Sequence, residues 1–442
     1  MPALKLRRFV RYRWPLIITM VVAVTAAFSL SPLIDVVQPR SPSAASLGTS
    51  VPYDILAPVS NILDTLTLLT PAQYWGTFAL CALLFFAPGI VRDLRRRSFS
   101  IQHTIASSLR FVGGTVAVVG IVLMARRPMA ALTINDPELI AVDFHSHTSA
   151  SHDGRAGFDS ERNREWHQSA GFNAAYITDH RTLEGALDAM ERNPVTAGAG
   201  MALLAGVELR DGDQHPILLG VDPKRTRITS PDLRDSPVRG DGRSVEPILL
   251  FTIPGNIASV PRNELGGPVR LAGIEISDGS PRGMAQTARD KDKIMALADR
   301  LRLAPIAGSD NHGWGRTAPA WSVLRIPGWR DMTPTGLDVA IRRTILARVS
   351  GTTEVIARRT AGPPSGRVEA ALGGFAVASM MFRTMNWRER VSWIMWSWAG
   401  ALISLMRARR NRRQLRILVR ESMRKRVSRP LGEVAAAMQT AL

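Results

Sequence analysis

Cys81 is the only cysteine in the 442 residues, so no disulfide can close within the chain. It lies in the apolar run LCALLFFAPGIV, and no G-x-S-x-G elbow offers a serine in its place. Covalent catalysis by an activated thiol or hydroxyl is therefore left without a nucleophile. Acidic residues are also short, 37 Asp and Glu against 56 Lys and Arg, for a net charge of +19. The shortage is uneven. Residues 133–360 hold 28 basic and 29 acidic side chains, a net −1, and the rest of the chain carries +20. A nucleic-acid binder needs a basic stripe on the folded domain itself. Residues 133–360 carry no such excess, and on that ground no nucleic acid is expected as a partner.

The excess charge lies beside long apolar runs. KLRRFVRYR precedes the uncharged stretch Pro15–Ile34, RDLRRR follows Pro71–Val91, and RARRNRRQLRILVRESMRKR follows Val391–Met406. Another run, Phe111–Ala125, lengthens to residue 108 if Arg110 snorkels to the interface. Runs of about 20 apolar residues cross a hydrocarbon core, and basic flanks mark its cytoplasmic side. The pattern predicts a multi-pass integral protein of the cell (inner) membrane, with spans at about 15–34, 71–91, 108–125 and 391–406. Four crossings leave residues 130–365 outside the cytoplasm, with Arg126 and Arg127 on the less favoured side. The alternative lays Phe111–Ala125 on the surface, pairs Ala370–Phe382 with Val391–Met406 as a hairpin, and keeps the domain cytoplasmic. Fewer basic residues are misplaced in the first arrangement, which is the expectation adopted. The stretch 35–70, containing VPYDILAPVSNILDTLTLL with Asp54 and Asp64, reads as an outer-face amphipathic segment. Arg407–Arg429 has eleven basic residues and one acidic, and reads as a basic helix on the anionic cytoplasmic leaflet. The expected layout is a membrane region at 1–130, a soluble domain at 131–360, a second membrane region at 361–406 and a basic tail at 407–442.

Histidine is scarce too, eight in all, yet three fall within VDFHSHTSASHDG (Val142–Gly154) together with two aspartates. His145 and His147 stand i, i+2 after the apolar run LIAVDF, which sends both imidazoles to one face of a strand. Two imidazoles side by side on one face are unfavourable without something to bind, and a divalent cation is the usual ligand. Further short apolar runs follow: AAYIT, ALLAGVEL, PILLGV, PILLFTI, LAGIEI and LAPIAG, with helical stretches such as TLEGALDAMER between several of them. The alternation predicts an α/β fold of parallel strands, and seven or eight units predict a barrel with its chemistry at the C-terminal strand ends. Asp179 and His180 end one run, Glu208 another, and Asp310 and His312 the last; His215 heads its run, a less orthodox place. Any one of these is ordinarily a cap or a solvated group. Four separate strand ends carrying metal-type ligands point to a metal site.

The pieces DFHSHTSASHDG, GFNAAYITDH, AGVELR, QHPILLG and GSDNHG, in this order over about residues 138–315, resemble the PHP (polymerase and histidinol phosphatase) family of metal-dependent hydrolases. The family's D-x-H-x-H-T and S-D-G elements are present, with His152 inserted between Ser151 and Asp153. The resemblance implies a distorted (β/α)7 PHP-type barrel across residues 133–360 and two or three divalent ions, commonly Zn, Mn or Fe. It implies one ion on His145, His147, Glu208 and Asp310, and a second on Asp153, His180 and His312. Glu208 would bridge to a further position supported by His215. Asp179 would orient a ligand rather than bind an ion. Ile253 stands where members often carry a His before the Pro, leaving that further position one ligand short.

Such a cluster lowers the pKa of a bound water and stabilises charge on a phosphoryl or carbonyl oxygen. The expected activity is that of a membrane-anchored metal-dependent phosphoesterase acting on a small or lipid-linked phosphate ester. Arg155, Arg181 and Arg316 each lie within four residues of an implied ligand and are candidates to clamp the phosphate. Two other readings stay open: hydrolysis of a non-phosphate ester or carbamate, and a metal- or ligand-sensing membrane protein, which Ile253 favours.

Overall fold

The computed structural model describes residues 13–97, 100–210, 214–221, 247–252, 269–348 and 352–439. Ile253, the position of the implied missing ligand, lies outside them. Two compact units result: Ser29–Met385, and Met1–Phe28 with Asn386–Leu442.

In the larger unit the strands are β1 (Leu33–Asp35), β2 (Ala45–Gly48), β3 (Ala131–Ile134), β4 (Leu139–Ser146), β5 (Ala174–Ile177), β6 (Ala202–Glu208), β7 (Ile217–Leu219), β8 (Ile248–Phe251), β9 (Arg270–Asp278), β10 (Ala304–Gly308), β11 (Ala320–Arg325) and β12 (Thr353–Arg358). Each of the seven apolar runs of the domain supplies one of β4 to β10. Ten strands join in one sheet, ordered β1-β12-β11-β4-β5-β6-β7-β8-β9-β10; β2 and β3 pair separately. The result is a mixed α/β fold with a curled sheet. Beyond β10, Asp310 N–H donates to His145 O at 2.8 Å and His147 N–H donates to Asn311 O at 2.9 Å, so the far end of the sheet returns to β4. The first half of β4 pairs instead with β11, from Leu139↔Arg325 to Val142↔Ser322.

Among β4 to β10, one strand departs from the parallel expectation; β1, β11 and β12, outside those runs, also pair antiparallel. β7 runs antiparallel to both β6 and β8, whereas β4–β5–β6 and β8–β9–β10 are parallel. Only residues 209–216 separate β6 from β7. A parallel crossover needs a dozen residues or more, so this short link closes a hairpin. The reversal carries the head of β7, and His215 just before it, to the edge where its parallel neighbours end.

Alternation along β4 decides which way its side chains point. Ile140, Val142 and Phe144 pack with Leu337, Ile341 and Ile345 of the helix Pro334–Ala347, and His145 stands on the opposite face. The helix Ser160–Ala170 follows β4, capped by the Asp159 carboxylate and closed by Gly171 at φ +85°. A side chain at Gly171 would collide with the backbone of Leu132, so only glycine fits there.

Two helices, Pro71–Arg96 and Ile101–Met124, are long and apolar enough to cross a membrane. Their outward side chains include Trp75, Leu83, Phe85, Ile105, Val112 and Val116. The twenty-residue span expected at about 15–34 is not one helix: the helix ends at Ala27, and Leu33–Asp35 is β1. Pro32, preceded by Ser31, disfavours helical backbone at that point. Val391–Met406 lies within the 53-residue helix Trp387–Gln439, where Trp398 Nε1 donates to Thr19 Oγ1 of the helix Arg13–Ala27 at 3.2 Å.

The stretch 35–70 is not a simple amphipathic surface segment. Asp54 and Asp64, on the helices Val51–Ile55 and Ala57–Thr67, are both buried. Asp64 accepts from Tyr53 Oη at 2.9 Å, Thr317 Oγ1 at 2.9 Å and Arg358 Nη1 at 2.6 Å, and pairs with Arg127. Arg127, out of place as an exposed charge, is thus neutralised by Asp64.

Candidate metal centre

Six parts of the chain bring their polar ends to one edge of the curled sheet. His145 and His147 come from the end of β4, Asp153 from the following turn, His180 from beyond β5, Glu208 from the end of β6, His215 from the head of β7, and Asp310 and His312 from beyond β10. All eight residues named from sequence as candidate ligands meet there. Four overlapping groups have ligand atoms within 4.8 Å of one another: His147, Asp153, His180 and His312; His145, His147 and Glu208; His180, Glu208 and His215; and His145, Glu275 and Asp278.

Glu208 is the hub. Its Oε2 lies 3.1 Å from His145 Nε2, 3.2 Å from His147 Nε2 and 3.4 Å from His180 Nδ1, and its Oε1 lies 2.7 Å from His215 Nδ1. Asp310 Oδ1 is 3.5 Å from the Nε2 atoms of both His145 and His147. Asp153 Oδ2 stands between His180 Nε2 at 3.1 Å and His312 Nε2 at 3.3 Å. The rings are crowded, with His147 stacked on His312 at 4.1 Å and on His180 at 4.9 Å between centroids.

The backbone is bent to make this possible. Asp310 has φ +45° and Arg181 φ +55°, left-handed values that side-chain-bearing residues seldom adopt and that collect at functional sites. A Cβ at Gly154 would collide with the Thr148 carbonyl, which explains glycine after Asp153.

Burial and charge oppose one another throughout. Burial lowers the His145 pKa, but the carboxylates of Glu275, Asp310 and Glu208 outweigh it and hold the imidazole well above its ordinary range. His147 is likewise raised, to about 9, by Asp310 and Glu208 against burial. Glu208, despite burial, is held well below its usual value by His145, His147 and His215. Asp278 moves the other way: burial, then Asp310 and Glu275, raise it well above the carboxylate range.

The donor set fits divalent cations. Both ring nitrogens of His147 are buried without a hydrogen bond among the described residues, and so is Glu275 Oε2. A buried imidazole left this way is strongly unfavourable in water-free surroundings, and a cation held with the neighbouring carboxylates removes the penalty. Nitrogen and carboxylate oxygen together are donors that a divalent cation takes.

Not every candidate joins the cluster. Asp179 spends both oxygens on Thr148, accepting from its N–H at 2.6 Å and its hydroxyl at 2.7 Å, and so holds the turn after His147. Arg155 lies at the rim, its Nη1 donating to Gly313 O at 3.0 Å and its guanidinium 5.6 Å from the Trp314 ring centre. Arg181 is exposed beside His180. Arg316 is turned to Arg127 O at 2.9 Å and Ser169 Oγ at 3.3 Å, away from the ligands.

Two buried pairs were not anticipated. Glu275 Oε1, on β9, lies 3.3 Å from His145 Nδ1, and Asp278 ends the same strand. The run LAGIEI read as an apolar strand, but a carboxylate inside it and another at its end repeat the pattern of the other ligand strands. Asp143 Oδ2 lies 2.7 Å from His167 Nε2, while its Oδ1 accepts from the N–H groups of His145 at 3.1 Å and Ser309 at 2.9 Å, pinning the backbone under the cluster.

No protein-family profile matches the chain, and no curated protein matches it. Solved structures of similar fold do. PsfC from Pseudomonas syringae shares 17% identity over 54% of this chain and 97% of its own, with a TM-score of 0.34. A two-domain protein from Bacteroides vulgatus containing a predicted PHP-like metal-dependent phosphoesterase shares 14% over 50% of this chain and 66% of its own, TM-score 0.32. Endonuclease Q, in complex with a 27-mer duplex substrate with an abasic lesion at its active site, shares 14% over 48% of this chain and 57% of its own, TM-score 0.33. This last structure corrects the exclusion of nucleic acid drawn from charge. Ions bound in an active site neutralise phosphates locally, so the net charge of a domain does not decide whether it takes a nucleic acid.

Proposed function

We propose that the chain is a PHP-type metal-dependent hydrolase, a membrane-anchored phosphoesterase that acts on a phosphate ester. The observation that carries this is the meeting of His145, His147, Glu208, Asp310 and their neighbours at one sheet edge, with His147 Nδ1 and Glu275 Oε2 buried without a hydrogen bond among the described residues. The fold is read as a distorted (β/α)7 barrel in which β7 is reversed. The two apolar helices before it are read as the anchor.

His145, His147, Glu208 and Asp310 would hold one divalent ion, Asp153, His180 and His312 a second, and Glu208 would reach a further position with His215. Ions so held would supply a water of lowered pKa and a Lewis acid for the phosphoryl oxygen. The chain's part is arrangement. Glu275 orients His145 through Nδ1, Asp143 fixes the strand beneath, and Asp179 fixes the turn carrying Thr148. Arg155, whose guanidinium offers further donors at the rim, is placed to receive phosphate oxygens, with Arg181 beside His180.

The test is elemental analysis of the full-length protein in detergent beside the His145→Ala/His147→Ala double variant. Both are assayed on p-nitrophenyl phosphate, bis-p-nitrophenyl phosphate and p-nitrophenyl acetate. Bound transition metal that is lost in the variant together with phosphoesterase activity is the expected outcome. Unchanged metal content removes the site assignment, and cleavage of the acetate alone removes the phosphate reading.

A further inference from the structure

The loop that carries His312 is fastened to the end of the apolar helix Ile101–Met124. Gly315 N–H donates to Leu123 O at 3.0 Å, and Trp166 Nε1 donates to Gly315 O at 3.2 Å. A small cleft opens at this junction, lined among others by Leu123, Met124, Arg126, Arg155, Arg162 and Arg316. Glu165 is the only carboxylate on its wall, against four guanidinium groups. Burial, then Arg127 and Arg126, press the Arg316 pKa below its ordinary value, more than Glu165 offsets. The cleft is therefore under-neutralised and favours an anion.

Arg155 joins this cleft to the ligand cluster. It follows Asp153 by two residues, its N–H donates to His312 O at 2.9 Å and its Nη1 to Gly313 O at 3.0 Å. Arg126 and Arg162 stand exposed; one nitrogen of Arg162 donates to Gly157 O at 2.7 Å, and its other donors are available. The remaining wall is apolar. Met124 is 59% exposed, and beyond it the helix presents Val112, Val116 and Ile121 outward.

We propose that this cleft seats the phosphate-bearing head of a membrane amphiphile, with its tail along the helix Ile101–Met124, and delivers the phosphate ester to the metal centre. Charge complementarity selects the head, the apolar helix end selects the tail, and the shared loop sets the distance to the ligands. The proposal rests on the phosphoesterase reading for its consequence but not for its measurement.

The test is calorimetric titration of the full-length protein in non-ionic detergent with dodecylphosphonate, which binds without being cleaved, and with ethylphosphonate as head alone. Dodecylphosphonate is expected to bind at least tenfold more tightly than ethylphosphonate. Arg126→Ala/Arg162→Ala is expected to lose at least tenfold of that affinity, and Arg126→Lys/Arg162→Lys to recover most of it. Equal affinity for the two phosphonates would make the cleft a free-phosphate site and overturn the amphiphile. Competition by a short DNA duplex at lower concentration than the amphiphile would assign the cleft to nucleic acid instead. An Ala variant that binds normally overturns the cleft itself. Binding that behaves as expected in a protein that hydrolyses no phosphate ester would sink the enzymatic reading and leave this one standing.

Discussion

Gly308 shows how tightly single residues are constrained around the ligands. A Cβ there would collide with the Glu275 carboxylate and come within 2.5 Å of the His145 Cβ. Gly308→Ala is expected to destabilise the protein by about 1–3 kcal/mol through overpacking and to reduce bound metal. A thermal melt and elemental analysis check both, and an unshifted melt with full metal would show that the packing relaxes freely. Glu275→Gln tests orientation rather than packing. Loss of a carboxylate behind a ligand histidine typically weakens metal affinity about 10- to 100-fold. Metal titration against a fluorescent chelator reads this directly, and an unchanged affinity would show that His145 needs no orienting carboxylate. The eight candidate ligands were legible because His and Asp at strand ends stand out from apolar runs. Glu275 was not, because one acid in a short strand is indistinguishable from a solvent-facing position until its neighbours are known.

Among the elements, the helices Val51–Ile55 and Ala57–Thr67 depend on one buried ion cluster. Asp64 neutralises Arg358 and Arg127 while accepting from Tyr53 and Thr317. Asp64→Asn would strand two buried guanidinium groups and is expected to cost about 3–5 kcal/mol. Burial raises the Asp64 pKa, but Arg358 and Arg127 outweigh it and lower the value below the ordinary 3.8. A depressed folded-state pKa means the stabilisation is complete above the unfolded value and disappears as pH falls through the folded one. Acid unfolding of the wild type should therefore steepen below about pH 4, and the variant should lose that portion of the curve. Parallel acid curves for the two proteins would remove Asp64 from the account. Hydropathy alone could not foresee this. Asp54 and Asp64 in a mostly apolar stretch look like a wetted face, and the cationic partners of Asp64 lie more than sixty residues away in sequence.

Over the whole molecule, the helices Pro71–Arg96 and Ile101–Met124 present apolar side chains that no other described residue of the larger unit covers along most of their length. Such bands are unfavourable in water, and the expected outcome is a protein that stays with the membrane pellet after alkaline carbonate washing. Release into the supernatant would show that the bands are covered by protein instead. A reporter fused after Thr360 distinguishes the four-span arrangement from the hairpin alternative, since each puts that point on a different side.

Local chemistry was enough to mark the seven strands of the domain and the eight candidate ligands that gather at one edge, because apolar runs and the residues that end them are properties of neighbours in the chain. It did not determine the direction of β7, the burial of Asp64, or the approach of Glu275 and Asp278 to His145. Those follow from loop length and from which distant segments share a face, and they exist only once the sheet has curled. His215 joins the two: the residue was visible in sequence, but only the reversed strand carries it to the edge where it meets Glu208.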